Sequence, residues 1–268
     1  MILEIIDGIN CRVTDIQDGD LVPVGGSTLN SRFSKFVKVD SNKFEGFFEK
    51  VARNAARLAK DINLQKWVNS AAPGVDINMF AHMYAFGNVF RMVYPDAFKN
   101  SQDSANFYDE PKSLSEAVNA GVCTCKEIAL LAQLYFQTQN IPTKYIGGEL
   151  VRQIGYNGER HSFISFVLGG HNYIYDPANP VNKSEPVMPR IHTIDITADQ
   201  RQKFEEKIHR ESETANKTAF LISRPVYTSM ASNVWYYGFN DFGVDFEPEF
   251  IMNPDIKPVY EPVQNHKM

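Results

Sequence analysis

Residues 161–177 read HSFISFVLGGHNYIYDP, two β-prone runs separated by a pair of glycines, and no other stretch leaves the chain so little freedom. A two-residue Gly-Gly loop signals a hairpin, because the turns that join antiparallel strands need positive φ at their centre and glycine adopts it without steric cost. With a loop of that length the register follows: Leu168 faces His171, Val167 faces Asn172, Ser165 faces Ile174 and Phe163 faces Asp176. Side chains alternate along a strand, so His161, Phe163, Ser165 and Val167 share a face with Asn172, Ile174 and Asp176. His161 and Asp176 become diagonal neighbours, about 7–8 Å apart at the backbone, within reach of an imidazole–carboxylate hydrogen bond. One residue more or less in the loop would turn Asp176 to the other face. Singly, His161 is an ordinary strand histidine and Asp176 a turn residue before Pro177; together they form a base and a group that orients it.

A partner for that pair lies upstream, in GVCTCKEIALLAQLYFQTQNIP. Thr124 followed three residues later by Glu127, just ahead of an apolar helical run, is the sequence form of a capping box. Thr124 is then the N-cap and Cys125 the first helical residue. Cys123 falls at N′ and Ile128 at N4, the positions that pack together as a hydrophobic staple. Asn140 suits the left-handed position after the last turn, and Pro142 forbids continuation. A thiol at a helix mouth meets unpaired amide groups and the positive end of the dipole, which favour a thiolate. Cys125 is therefore the candidate nucleophile and Cys123 a core residue; position alone leaves open that both are small buried hydrophobes.

The flanking segments are read from periodicity. Residues 1–40 carry short β-prone runs, as in a strand-bearing or extended arm. From Ser41, taken as an N-cap, Phe44, Phe47, Phe48, Val51, Ala55 and Leu58 keep helical spacing, and a second helix fits residues 77–93 before Pro95. A short helix is expected over Leu114–Val118 and a strand over 143–150; a loop rich in Pro and Asn follows the hairpin. Thr197 is placed to cap a polar helix over 198–215, and the last 45 residues are aromatic and Pro-rich. A net charge of -5 with dispersed Lys and Arg gives no basic stripe for nucleic acid. The N-terminus has neither a basic lead-in nor an apolar run of membrane length. Three cysteines do not make a disulfide framework. The expectation is a protein with no membrane segment, cytoplasmic or exported without a cleaved Sec signal.

Helix-mouth Cys, strand His, then Asp-Pro on the next strand is an order that resembles the transglutaminase-like superfamily of papain-fold cysteine enzymes, in its bacterial form. Cys125, Ala129, Ile141-Pro142 and the strand TKYIGGEL match its nucleophile region, His161 in HSFISF its histidine strand, and Asp176 in DPANP its Asp-Pro end. The likeness covers about residues 113–180. The Gly common two residues before the nucleophile is Cys123 here, and Gly121-Val-Cys123 taken alone points to Cys123; the spacing to Ile141-Pro142, Ala129 and the capping box point to Cys125. No upstream Gln or Trp matches as an oxyanion donor, which leaves that role to backbone N–H groups near Cys125. The resemblance implies an α+β fold, a papain/transglutaminase-like core with the nucleophile-bearing helix packed on an antiparallel sheet. Around it stand N-terminal helices and an aromatic C-terminal extension. The expected organisation is 1–110 as arm and helical elaboration, 111–196 as catalytic core, and 197–268 as C-terminal helix and packed tail of the same globule.

The chemistry implied is acyl transfer through a thioester, with Cys125, His161 and Asp176 as the triad and no cofactor. Hydrolysis or deamidation of an amide in a protein or peptide substrate is the first expectation; an amine in place of water gives a transglutaminase or an amide-forming acyltransferase. A binding module that kept the fold and lost turnover is the non-enzymatic alternative. A zinc site from Cys123, Cys125, His161 and His171 or Asp176 is the third, with a Cys-x-Cys spacing tighter than zinc ligands usually show.

Overall fold

The glycine pair does what its composition demands. In the computed structural model of the chain, Gly169 and Gly170 have φ of 59° and 85°, and the strands on either side pair Leu168 with His171, Val167 with Asn172, Ser165 with Ile174 and Ile164 with Tyr175. The structure describes residues 1–5, 11–23, 36–71, 75–150, 159–180, 187 and 189–193. The polar helix expected over 198–215 and the aromatic tail lie outside the described residues.

In chain order the elements are β1 (Ile2–Ile5), β2 (Cys11–Thr14), β3 (Leu21–Pro23), β4 (Phe36–Lys38), α1 (Glu45–Leu58), α2 (Ile62–Ala71), α3 (Ile77–Val93), α4 (Ser104–Phe107), β5 (Lys112–Ser113), α5 (Leu114–Ala120), α6 (Cys125–Thr138), β6 (Thr143–Leu150), β7 (Glu159–Leu168), β8 (His171–Asp176) and β9 (Arg190–Thr193). The fold is α+β. Six strands form one sheet in the order β1-β2-β6-β7-β8-β9, each neighbouring pair antiparallel. A small second sheet, β3-β4-β5, pairs β4 with β5 in parallel.

The arm at the N-terminus enters the same sheet as the hairpin, since Cys11, Arg12 and Val13 pair with Gly147, Ile146 and Tyr145. One strand, β9, stands where the sequence suggested only loop. Its four residues follow a Pro-rich run and are too few to show a period.

Ser41 is not a helix N-cap. A 3-10 turn spans Ser41–Phe44 and α1 begins at Glu45, because the Ser41 N–H and hydroxyl both donate to Asp18 instead of closing a helix end. The apolar stripe itself is buried at Phe44, Phe47, Phe48, Val51, Ala55 and Leu58. The pattern then breaks where Asp61 accepts the Asn63 and Leu64 N–H groups at 2.8 and 2.9 Å and starts α2 as a separate helix.

Helix α3 is capped by Asp76, which accepts from the Asn78 and Met79 N–H groups. Except at His82 it is buried from Met79 to Phe90, the mark of a helix surrounded by protein. Phe47 packs edge-on against Phe86 and Phe90, and Tyr135 of α6 meets Phe48, His82 and Phe86. On its other side α6 lies on β6 and β7. Each such ring removed from water contributes on the order of 1.5–3 kcal/mol. The nucleophile candidate thus heads a helix fixed on all sides. Among the described residues no helix is long and apolar enough to cross a membrane.

Candidate active site

Three turns of backbone place Cys125. Helix α5 opens with a capping box between Ser113 and Glu116 and ends on Gly121, whose φ is 72°. A Cβ there would stand 2.6 Å from the Asp96 carbonyl oxygen, so both conformation and contact require glycine. This explains the Gly121-Val-Cys123 sequence as a helix end pressed on a neighbouring turn. The Cys123 N–H donates to the Ala97 carbonyl at 2.9 Å and the Asn100 N–H to the Gly121 carbonyl at 2.8 Å. Thr124 is extended, and its N–H and hydroxyl both donate to Glu127 Oε2, at 2.7 and 2.8 Å. Helix α6 starts at Cys125, and at its far end Asn140 takes φ of 55°.

The two thiols are separated by this turn. Cys123 is fully buried, as is Ile128, and burial together with the Glu127 charge pushes the Cys123 thiol far up. Cys125 is only partly buried. It is near enough to His161 to add to the ring's proton affinity, less than Asp176 does.

His161 and Asp176 meet as the hairpin register requires. His161 Nε2 is 2.6 Å from Asp176 Oδ2, with both residues buried, Asp176 to 1% exposure. The ring of His161 also rests 6.2 Å from that of Phe163. Burial alone would lower the proton affinity of the imidazole. The Asp176 charge and hydrogen bond, followed by the nearby Cys125, outweigh it and raise the His161 pKa to about 10. Burial would likewise raise the Asp176 carboxyl, but His161, Asn179 and Arg190 hold it below its ordinary value. With Nε2 committed to Asp176, Nδ1 is the nitrogen left for the thiol.

Two participants escaped the sequence reading. Asn179 Nδ2 donates to Asp176 Oδ2 at 3.1 Å and stands 3.3 Å from His161 Nε2; an Asn three residues after an Asp, between prolines, is a turn signal that could have pointed to it. Arg190, on β9, pairs across the ladder with Asp176, and nothing local in the sequence marked it. His82 has Nδ1 2.5 Å from the Tyr135 hydroxyl in the helical core, away from this site.

Among the described residues no group of three or more His, Cys, Asp or Glu is arranged to hold a metal. Cys123, one of the ligands a zinc site would need, is packed into the core. Set against protein-family models, curated proteins and solved structures, the chain matches none of them.

Proposed function

We propose that the protein is a thiol-dependent acyl-transfer enzyme of the papain/transglutaminase-like kind, with Cys125 as nucleophile, His161 as general base and acid, and Asp176 as the group that orients the ring. The observation that carries this reading is a buried imidazole with a carboxylate 2.6 Å from its Nε2; the thiol at the mouth of α6 is near enough to add to the ring's proton affinity. Such an arrangement fixes the tautomer and stabilises the imidazolium that proton transfer creates.

The steps follow from the placement. His161 Nδ1 takes the Cys125 proton and Sγ attacks an amide carbonyl carbon. The oxyanion is met by first-turn N–H groups of α6, which have no acceptor within the helix. Collapse breaks the C–N bond, the amine or ammonia leaves with the proton from His161, and an acyl thioester remains on Cys125. Water, deprotonated by His161, attacks the thioester, releases the carboxylic acid and restores the thiol. The substrate class is a protein or peptide amide, and hydrolysis or deamidation is the favoured outcome; an amine acceptor on the same thioester gives transamidation.

Ammonia release from glutamine- and asparagine-bearing peptides, assayed with and without a primary amine, tests the reading. Release is expected from the wild type and a loss of about a thousandfold or more in Cys125→Ala. Equal release by both proteins contradicts it.

A further inference from the structure

The buried carboxylate of Asp176 is wrapped by the residues that follow it. Oδ1 accepts the Ala178 and Asn179 N–H groups at 3.2 and 3.3 Å, while Oδ2 accepts from His161 and Asn179. This turn is in turn held by Arg190, whose Nε donates to the Asn179 carbonyl at 2.6 Å and whose Nη2 lies 3.5 Å from the Pro180 carbonyl. Arg190 is 4% exposed, and among the described residues its Nη1 is buried without a hydrogen-bond partner. A guanidinium in such a place is costly unless it faces an anion. The β8–β9 ladder sets it directly opposite Asp176, so the two side chains leave the sheet on one face.

We propose that Arg190 is a positioning residue of the candidate site: it closes the 177–180 turn on Asp176 through two carbonyls and supplies the positive charge that the Asp176–His161 pair faces from β9. The proposal deepens the acyl-transfer reading and rests on it for the meaning of the pair, though not for the pair's geometry. Among the described residues the other titratable or charged groups near Asp176 are His161 on β7, Tyr175 next to it in the strand, Arg91 of α3, which lines a small cavity together with Asp176, and Cys125 of α6 acting through His161. Removing one positive charge from this set moves every linked protonation to higher pH, because each anion loses stabilisation and each cation loses repulsion.

The test is the pH profile of Cys125 alkylation by iodoacetamide in the full chain, mapped by mass, with near-UV circular dichroism to establish folding. Arg190→Gln is expected to displace the acid limb upward by about one pH unit, a tenfold loss of rate on that limb. Arg190→Lys keeps the charge while losing the bond to the Asn179 carbonyl, and its limb is expected to stay with the wild type. A role in packing alone would lower the rate equally at all pH in both variants, and that result overturns the proposal. If Arg190→Gln does not fold, Arg190→Lys decides: an unmoved limb with the wild-type rate on the plateau supports the charge role, and an upward displacement or a rate lowered equally at all pH overturns it. Ammonia release separates the two readings, since a displaced limb in a protein without turnover removes the enzyme reading alone, and an unmoved limb in an active protein removes only the role of Arg190.

Discussion

His161 is pulled toward its charged form from two sides, and the pH dependence of stability should show it. Asp176 is depressed in the fold, so its contribution is present above the unfolded carboxylate value, about 3.9, and is lost as pH falls through the native value. His161 is raised, so its contribution is full below the unfolded value, about 6.5, and is lost as pH rises through about 10. Both describe one ion pair and are not added. Asp176→Asn should therefore cost about 3 kcal/mol in urea unfolding near pH 5–6, with the difference from wild type shrinking toward pH 10 and in strong acid. A difference constant with pH would mean that the pair is not charged in the fold. At the same scale, iodoacetamide on the native protein should modify Cys125 and spare Cys123, since one is partly exposed and the other fully buried. The reverse order in a mass map would contradict the placement of the helix mouth. Contacts of this kind could be read from sequence because a turn of fixed length or a cap of fixed spacing sets them. Arg190 could not, because its meaning depends on a strand pairing across a Pro-rich connection.

Among the elements, α6 and the β7–β8 hairpin were specified locally: Thr124 and Glu127 write the start of the helix, Asn140 and Pro142 its end, and Gly169-Gly170 the register. The start of α1 was misplaced because Ser41 had a non-local partner, Asp18, invisible to any reading of neighbours. The ends of helices also offer a direct test. Gly121→Ala must accept both φ of 72° and a Cβ 2.6 Å from the Asp96 carbonyl, so the loop that carries Cys123 and Thr124 has to shift. A loss of about 1–3 kcal/mol is expected from chemical denaturation, with slower alkylation of Cys125. An Ala variant as stable as wild type would show that this close approach is not made.

Across the whole molecule, the site borrows from distant parts of the chain: a helix mouth at 125, a strand at 161, a strand end at 176 and β9 at 190, all backed by the α1–α3–α6 aromatic core. That core was foreseeable as apolar periodicity; the entry of β1 and β2 into the same sheet was not, since pairing over more than 130 residues leaves no local trace. Deleting residues 1–14 should bare the β6 edge, lower the thermal midpoint and promote concentration-dependent association seen by light scattering. An unchanged midpoint would mean that those strands add nothing to the sheet. The proposed chemistry depends on a single covalent bond. Intact-mass and peptide mapping after brief exposure to an activated acyl ester should find one acyl group on Cys125, labile to hydroxylamine, absent from Cys125→Ala and formed far more slowly in His161→Ala. Acylation spread over lysines or placed on Cys123, or acylation of Cys125 at the same rate without His161, would contradict a thiol nucleophile activated by His161.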